Sequence, residues 1–191
     1  MSFNLPIVKA PAIAVIVNGI TFYVGWFICI QSGADGYKYF GLLFSLCVLI
    51  AHLIIFSTSP LKETKLVAAV IFLGLIIDSL FINFDILRVS TPNPISDRLT
   101  PLWIIGGYII FGTTINHCLT WLSDRKFLSC IFGAIGGLAS YYAGVRLGAA
   151  DFGPRPILSA IVIFVVWGIL FPSIYVINNA LDSNNQKLQN N

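Results

Sequence analysis

Charge is what this chain of 191 residues most lacks. Asp, Glu, Lys and Arg make up 10% of it, against 57% hydrophobic residues and a mean hydropathy of +0.88. A soluble globular domain carries charge at about a quarter of its positions, so water is excluded as the main solvent. The longest segments outside the apolar runs are Leu87 to Thr100 and the stretch after Asn179, too short for a separate soluble catalytic domain. Any activity is therefore expected in the membrane or at its surface. The net charge of +3 is spread over short loops with no basic cluster, which leaves nucleic-acid binding without support. A CxxC pair is also missing. Cys29, Cys47, Cys118 and Cys130 fall inside apolar runs and read as small packing residues. The first apolar run has no small-residue cleavage site, so a retained helix is expected rather than a removed signal peptide. Trp26, Phe27 and Ile28 before Cys29 are too bulky for a lipoprotein processing site. No internal repeat of the kind that marks many transporters is evident.

What fills the chain instead is uncharged sequence. Five runs of at least about nineteen residues contain no Asp, Glu, Lys or Arg, and a sixth is broken only by Asp78, each near the length that crosses a bilayer as a helix. The expected fold is all-α, a single polytopic bundle with spans at about 12–30, 39–57, 66–84, 101–121, 127–146 and 157–177, followed by a polar, disordered tail over 180–191. Turn chemistry marks the divisions. Gly33 and Gly36 flank Asp35, Pro60 opens the second connection, Pro92 and Pro94 break the third, Ser123 to Lys126 make a charged turn, and Gly153, Pro154 and Pro156 precede the last span. Pro172 lies inside that span and is expected to kink it. With the amino terminus inside, Lys9, Lys62, Lys65, Arg125, Lys126 and Lys187 face Lys38, Arg88, Arg98, Arg146 and Arg155 across the membrane. Six against five favours both termini cytoplasmic.

In lipid the few polar residues are the informative ones, because each needs a partner. Asp78 is the only carboxylate well inside an expected span, and such a residue costs roughly 2.5–3.5 kcal/mol at mid-membrane. On the expected topology Arg146 lies at a similar level. Asp78, Tyr142 and Arg146 are therefore read as one candidate polar pocket, either a structural ion pair or a substrate or headgroup site. His52 and His117, the only histidines, fall toward the same ends of two co-directional helices, so their imidazoles are expected to face each other. With Asn116 they form a second candidate polar cluster, flanked by Thr113 and Thr120 on one helix and Ser45 on the other. Helix-helix hydrogen bonding is its bland reading and ligand contact or catalysis its sharper one. No metal is expected, since two histidines fall short of a three- or four-ligand set without nearby carboxylates. Bis-histidine haem is not expected, and no cofactor is assigned. Gly133, Gly137, Ser140, Gly144 and Gly148 recur every three or four residues, which suits close helix packing more than an acyl-chain groove.

The segments Gly74–Leu80, Pro101–Leu122 with its Thr-Thr-Ile-Asn-His run, and Gly137–Phe152 with Ala-Gly-Val-Arg-Leu-Gly-Ala together resemble a bacterial membrane family, domain of unknown function 2878. The resemblance covers roughly the first five expected spans. It implies a bacterial inner-membrane location and an association with fatty-acyl or cyclopropane-lipid modification, with no catalytic residues to carry over. The leading expectation is a protein that binds or helps process an amphipathic, lipid-like substrate beside lipid-modifying membrane enzymes. A noncatalytic scaffold or subunit is the first alternative, distinguished by partners retained in mild detergent. A small transporter is the second, distinguished by a water-accessible route beside Asp78.

Overall fold

In a computed structural model the described residues are 11–189, with side chains described for 12–183. Six helices carry the fold: α1 (Pro11–Ala34), α2 (Phe40–Ile55), α3 (Pro60–Asn83), α4 (Leu102–Gly112), α5 (Lys126–Arg146) and α6 (Pro156–Gln189). Two three-residue strands, β1 (Leu87–Val89) and β2 (Ala150–Phe152), pair antiparallel with Arg88 opposite Asp151. The helices alternate in direction. Near the strands, the end of α1 meets the segment before α4 through Thr91 Oγ1 donating to Gly33 O at 2.6 Å. At the opposite end, His52 of α2 and Glu63 of α3 meet at 2.7 Å.

The bundle is apolar on its outside as well as in its core, and it buries several polar side chains. Ile16, Phe72, Phe127 and Ile169 are at least 60% exposed, while Asn18, Ser45, Glu63 and Asp78 are buried. Apolar side chains on the outside and polar ones within suit a hydrocarbon solvent. The interior gathers Leu66, Val70 and Phe81 of α3, Tyr108 of α4, and Ile163, Trp167, Phe171 and Ile174 of α6.

Among the described residues four helices, not six, are long and apolar enough to cross a membrane: α1, α3, α5 and α6. The sequence expectation counted uncharged residues, and two of those runs are not helical throughout. α2 has 16 residues and α4 has 11, or about 24 and 16 Å at 1.5 Å per residue, short of the ~30 Å core. α4 ends at Thr113 and Thr114, whose hydroxyls donate to Ile110 O and Phe111 O at 2.7 and 2.6 Å. The backbone then follows with bonds three residues apart, such as His117 N to Thr114 O at 3.0 Å. Such local side-chain bonds compete with the α-helical ladder.

The tail expected to be disordered from Ala180 continues α6 to Gln189. At the start of that stretch Leu181 packs against the core and Lys62 Nζ pairs with Asp182 Oδ1 at 2.5 Å. α6 also runs through Pro172 without interruption. Lys9, Asn190 and Asn191 lie outside the described residues, as does the side chain of Lys187.

The Ala-Gly-Val-Arg-Leu-Gly-Ala segment ends α5. Gly148 has φ +82°, its N–H donates to Val145 O at 3.1 Å, and Ala149 N–H donates to Gly144 O at 2.9 Å. That is a Schellman cap, with glycine at the left-handed position. It hands the chain to β2, and Gly153 then lies so close to Asp85 O that no side chain fits there.

Candidate functional site

Two polar centres stand at different levels of α3. Its buried face carries Glu63, Val67, Val70, Gly74, Asp78 and Phe81, a three-four spacing that puts both carboxylates on one stripe. Fifteen residues separate them, about 22 Å along the axis.

The first centre joins three elements. His52 lies in the last turn of α2, Glu63 in the first turn of α3, and His117 in the irregular segment after α4. His52 Nε2 is 2.7 Å from Glu63 Oε2, and His117 Nε2 is 3.2 Å from Glu63 Oε1. The imidazoles meet edge to face with centroids 4.6 Å apart, and Phe56 stacks on the far side of His52 at 5.9 Å. His52 and Glu63 are buried and His117 is nearly so. The two histidines thus come together, with a carboxylate between them.

Asn116, expected with them, points elsewhere and accepts from Asn178 Nδ2 of α6 at 2.8 Å. That contact belongs to a set holding the unwound backbone. Asn18 of α1 donates to Thr113 O at 3.2 Å and accepts from Cys118 N at 3.3 Å. Tyr175 of α6 donates to Leu119 O at 2.6 Å. Non-helical backbone at this depth needs such partners, and they fix the position of His117. Asn18 is therefore one of the side chains that brace the break.

Glu63 was missed by sequence reasoning, which started the third span at Leu66 and left Lys62-Glu63-Thr64-Lys65 in a loop. The signal was available. Ser59 followed by Pro60 is a helix start with proline at its first position, and beginning the helix there puts Glu63 on the stripe of Val67 and Asp78. The expectation of no metal set assumed no carboxylate near the histidines. Glu63 removes that assumption.

The second centre surrounds Asp78, which is fully buried. Its partner is not Arg146. Tyr141 of α5 donates its hydroxyl to Asp78 Oδ1 at 2.5 Å, and the Tyr108 hydroxyl of α4 lies 3.4 Å from that of Tyr141. Five residues turn a helix by about 500°, so with Tyr141 facing α3, Arg146 is carried well away from it. Arg146 is exposed and has no ion pair among the described residues, and Tyr142 is 55% exposed. The three residues read as one pocket do not converge. Gly74, one turn before Asp78, makes the arrangement possible, because a Cβ there would lie 2.3 Å from the Tyr108 ring.

Beside this network lies a cavity of about 550 Å³. Trp26 of α1, Tyr108 and Phe111 of α4, Tyr141 of α5 and Trp167 of α6 are among its walls. Trp26 Nε1 donates to Ser140 Oγ at 2.7 Å, joining α1 to α5 across it. The glycines of α5 divide by side. Gly133 and Gly137 press against Phe171 and Trp167, where a Cβ would come within 2.4 and 2.3 Å, whereas Gly136 and Gly144, also in the cavity lining, have nothing within 4 Å of a Cβ. The glycine stripe therefore packs α6 with one flank and leaves open space with the other. Two polar atoms behind the wall, Trp167 Nε1 and Asp78 Oδ2, are buried away from the cavity and have no hydrogen-bond partner of ordinary length among the described residues.

No curated protein and no solved structure matches the chain. The model of one family, described as a protein of unknown function (DUF2878), matches residues 15–173. That range takes in the histidine-glutamate centre, the Asp78 network and the cavity wall, and the chain belongs to this family.

Proposed function

We propose that this protein holds an amphipathic, lipid-like molecule in the cavity between α1, α4, α5 and α6. Its apolar part would lie against the aromatic walls, and its polar part beside Trp26 and Ser140, which line the same cavity. The observation that carries this reading is the cavity itself. Its ~550 Å³ falls within the roughly 300–1,000 Å³ of small-molecule pockets, and like them it is mostly apolar with a few polar atoms. Asp78, through Tyr141, fixes the polar end of the wall, so it acts by positioning and not by pairing with Arg146. Four helices long and apolar enough to cross a membrane are compatible with a multi-pass membrane protein. Within this reading the protein sits in a bacterial inner membrane, both termini cytoplasmic, and serves lipid-modifying membrane enzymes.

The test fills the cavity from a position that tolerates it. Gly136→Leu places a side chain in open space, so the fold is expected to survive while room for ligand is lost. Wild type and variant purified in mild detergent are compared by lipid mass spectrometry, with the unfolding midpoint as the control for folding. A specific lipid retained by wild type and lost from the variant supports the reading. Identical retained lipids, or none specific to wild type, overturns it.

A further inference from the structure

We propose that His52, Glu63 and His117 bind one divalent transition-metal ion of the zinc class, through the two Nε2 atoms and a carboxylate oxygen. Their donor atoms all lie within 4.8 Å of one another, close enough to share one ion. Two imidazoles and one carboxylate form the three-ligand set that open zinc sites use, with a fourth position left for water or substrate. The same set with further open positions suits ferrous iron.

Charge balance favours a cation. Glu63 is buried, and the described groups in contact with its carboxylate are the two imidazoles. If both are neutral, a negative charge is left in a low-dielectric site, and a divalent ion reverses its sign at short range. The two states also differ in where a proton sits. Without metal each Nε2 donates an N–H to the carboxylate, and with metal each offers a lone pair.

The construction around the cluster is the second support. One ligand comes from a helix end, one from a helix start and one from backbone unwound at Thr113. That unwound segment is braced by Asn18, Tyr175 and Asn178 from α1 and α6. A helical continuation of α4 would need none of these braces, and the break is what brings His117 to Glu63. The inference does not rest on the lipid reading, because the cluster shares no residue with the cavity.

The full chain, purified in mild detergent and stripped with chelator, is titrated with Co²⁺ and with Zn²⁺. One ion per chain is expected, with visible ligand-field bands for Co²⁺ and a raised unfolding midpoint for Zn²⁺. Glu63→Gln keeps the shape and hydrogen-bonding capacity of the side chain, and His117→Ala removes one ligand outright. Each is expected to weaken binding by at least about ten-fold, the loss that even an outer-shell partner commonly causes. A wild type without Co²⁺ bands and without a Zn²⁺-dependent midpoint overturns the proposal. So does unchanged affinity in Glu63→Gln and His117→Ala. Should either variant fail to fold, the wild-type titration still decides.

Discussion

Tyr141→Phe removes one oxygen and with it the short hydrogen bond to Asp78. Both carboxylate oxygens are buried, Oδ2 has no partner of ordinary length, and Oδ1 has the Tyr141 hydroxyl at 2.5 Å. The ring's own contacts with Phe81 and Trp167, at centroid distances of 6.0 and 6.3 Å, survive the substitution. The loss is therefore close to that of the hydrogen bond alone. Interhelical hydrogen bonds in a membrane average about 0.6 kcal/mol, because the separated helices find other partners. A bond to a charged group that leaves its acceptor unpaired is worth about 1.5–3 kcal/mol. The Tyr108 hydroxyl also lies within reach of Asp78 and takes over part of the bond, which puts the expectation at about 1–2 kcal/mol, a five-fold or greater loss in the folding equilibrium. Equilibrium unfolding in mixed micelles measures it. Adding Asp78→Leu to Tyr141→Phe completes a double-mutant cycle, and the double variant is expected to be less destabilised than the sum of the singles. A Tyr141→Phe variant within about 0.5 kcal/mol of wild type, with no coupling in the cycle, refutes the claim that Tyr141 satisfies Asp78.

Two neighbouring glycines of α5 should respond in opposite ways. Gly133→Ala drives a Cβ to 2.4 Å from Phe171 Cβ and 2.6 Å from Trp167 O and is expected to destabilise by about 1–3 kcal/mol. Gly136→Ala enters open space and is expected to be neutral or to stabilise by up to about 1 kcal/mol through helix propensity. Unfolding midpoints compare the two, and equal effects would contradict the assignment of packed and open flanks. Asn18→Ala leaves Thr113 O and Cys118 N–H without the partners they have in the bundle, at about 1–3 kcal/mol per group. Faster hydrogen exchange confined to the segment from Thr113 to Thr120 is the expected signature, and protection unchanged there would show that another group does the bracing.

Much of the fold was legible in the sequence. Long uncharged runs gave helices α1, α3, α5 and α6 directly, since length and apolarity are sums over neighbouring residues. α2 and α4 were also found as elements, but their lengths were overestimated because an uncharged run does not reveal where within it the helix ends, as α4 does before Thr113. The facing of His52 and His117 was expected from two helices running in the same direction, but it comes about through the unwound segment that carries His117 past the end of α4. The Asp78 partner was not. A phenol in an apolar run looks like packing, whereas a guanidinium at a helix end attracts the eye as a counter-ion. The rotation of α5, fixed by Gly133 and Gly137 against α6, selects Tyr141.

By itself the sequence determined that the chain is helical, that its solvent is largely apolar, and that a handful of polar residues must be satisfied inside. These follow from hydrophobic burial and backbone hydrogen bonding, which act on each segment wherever it ends up. Only the tertiary structure decided which of those residues meet. Glu63 reaches two histidines from two other elements, and Asp78 reaches a tyrosine rather than an arginine. Such meetings depend on helix rotation, on one broken helix, and on close approach at a few glycines, and none of these is a property of any single stretch of chain.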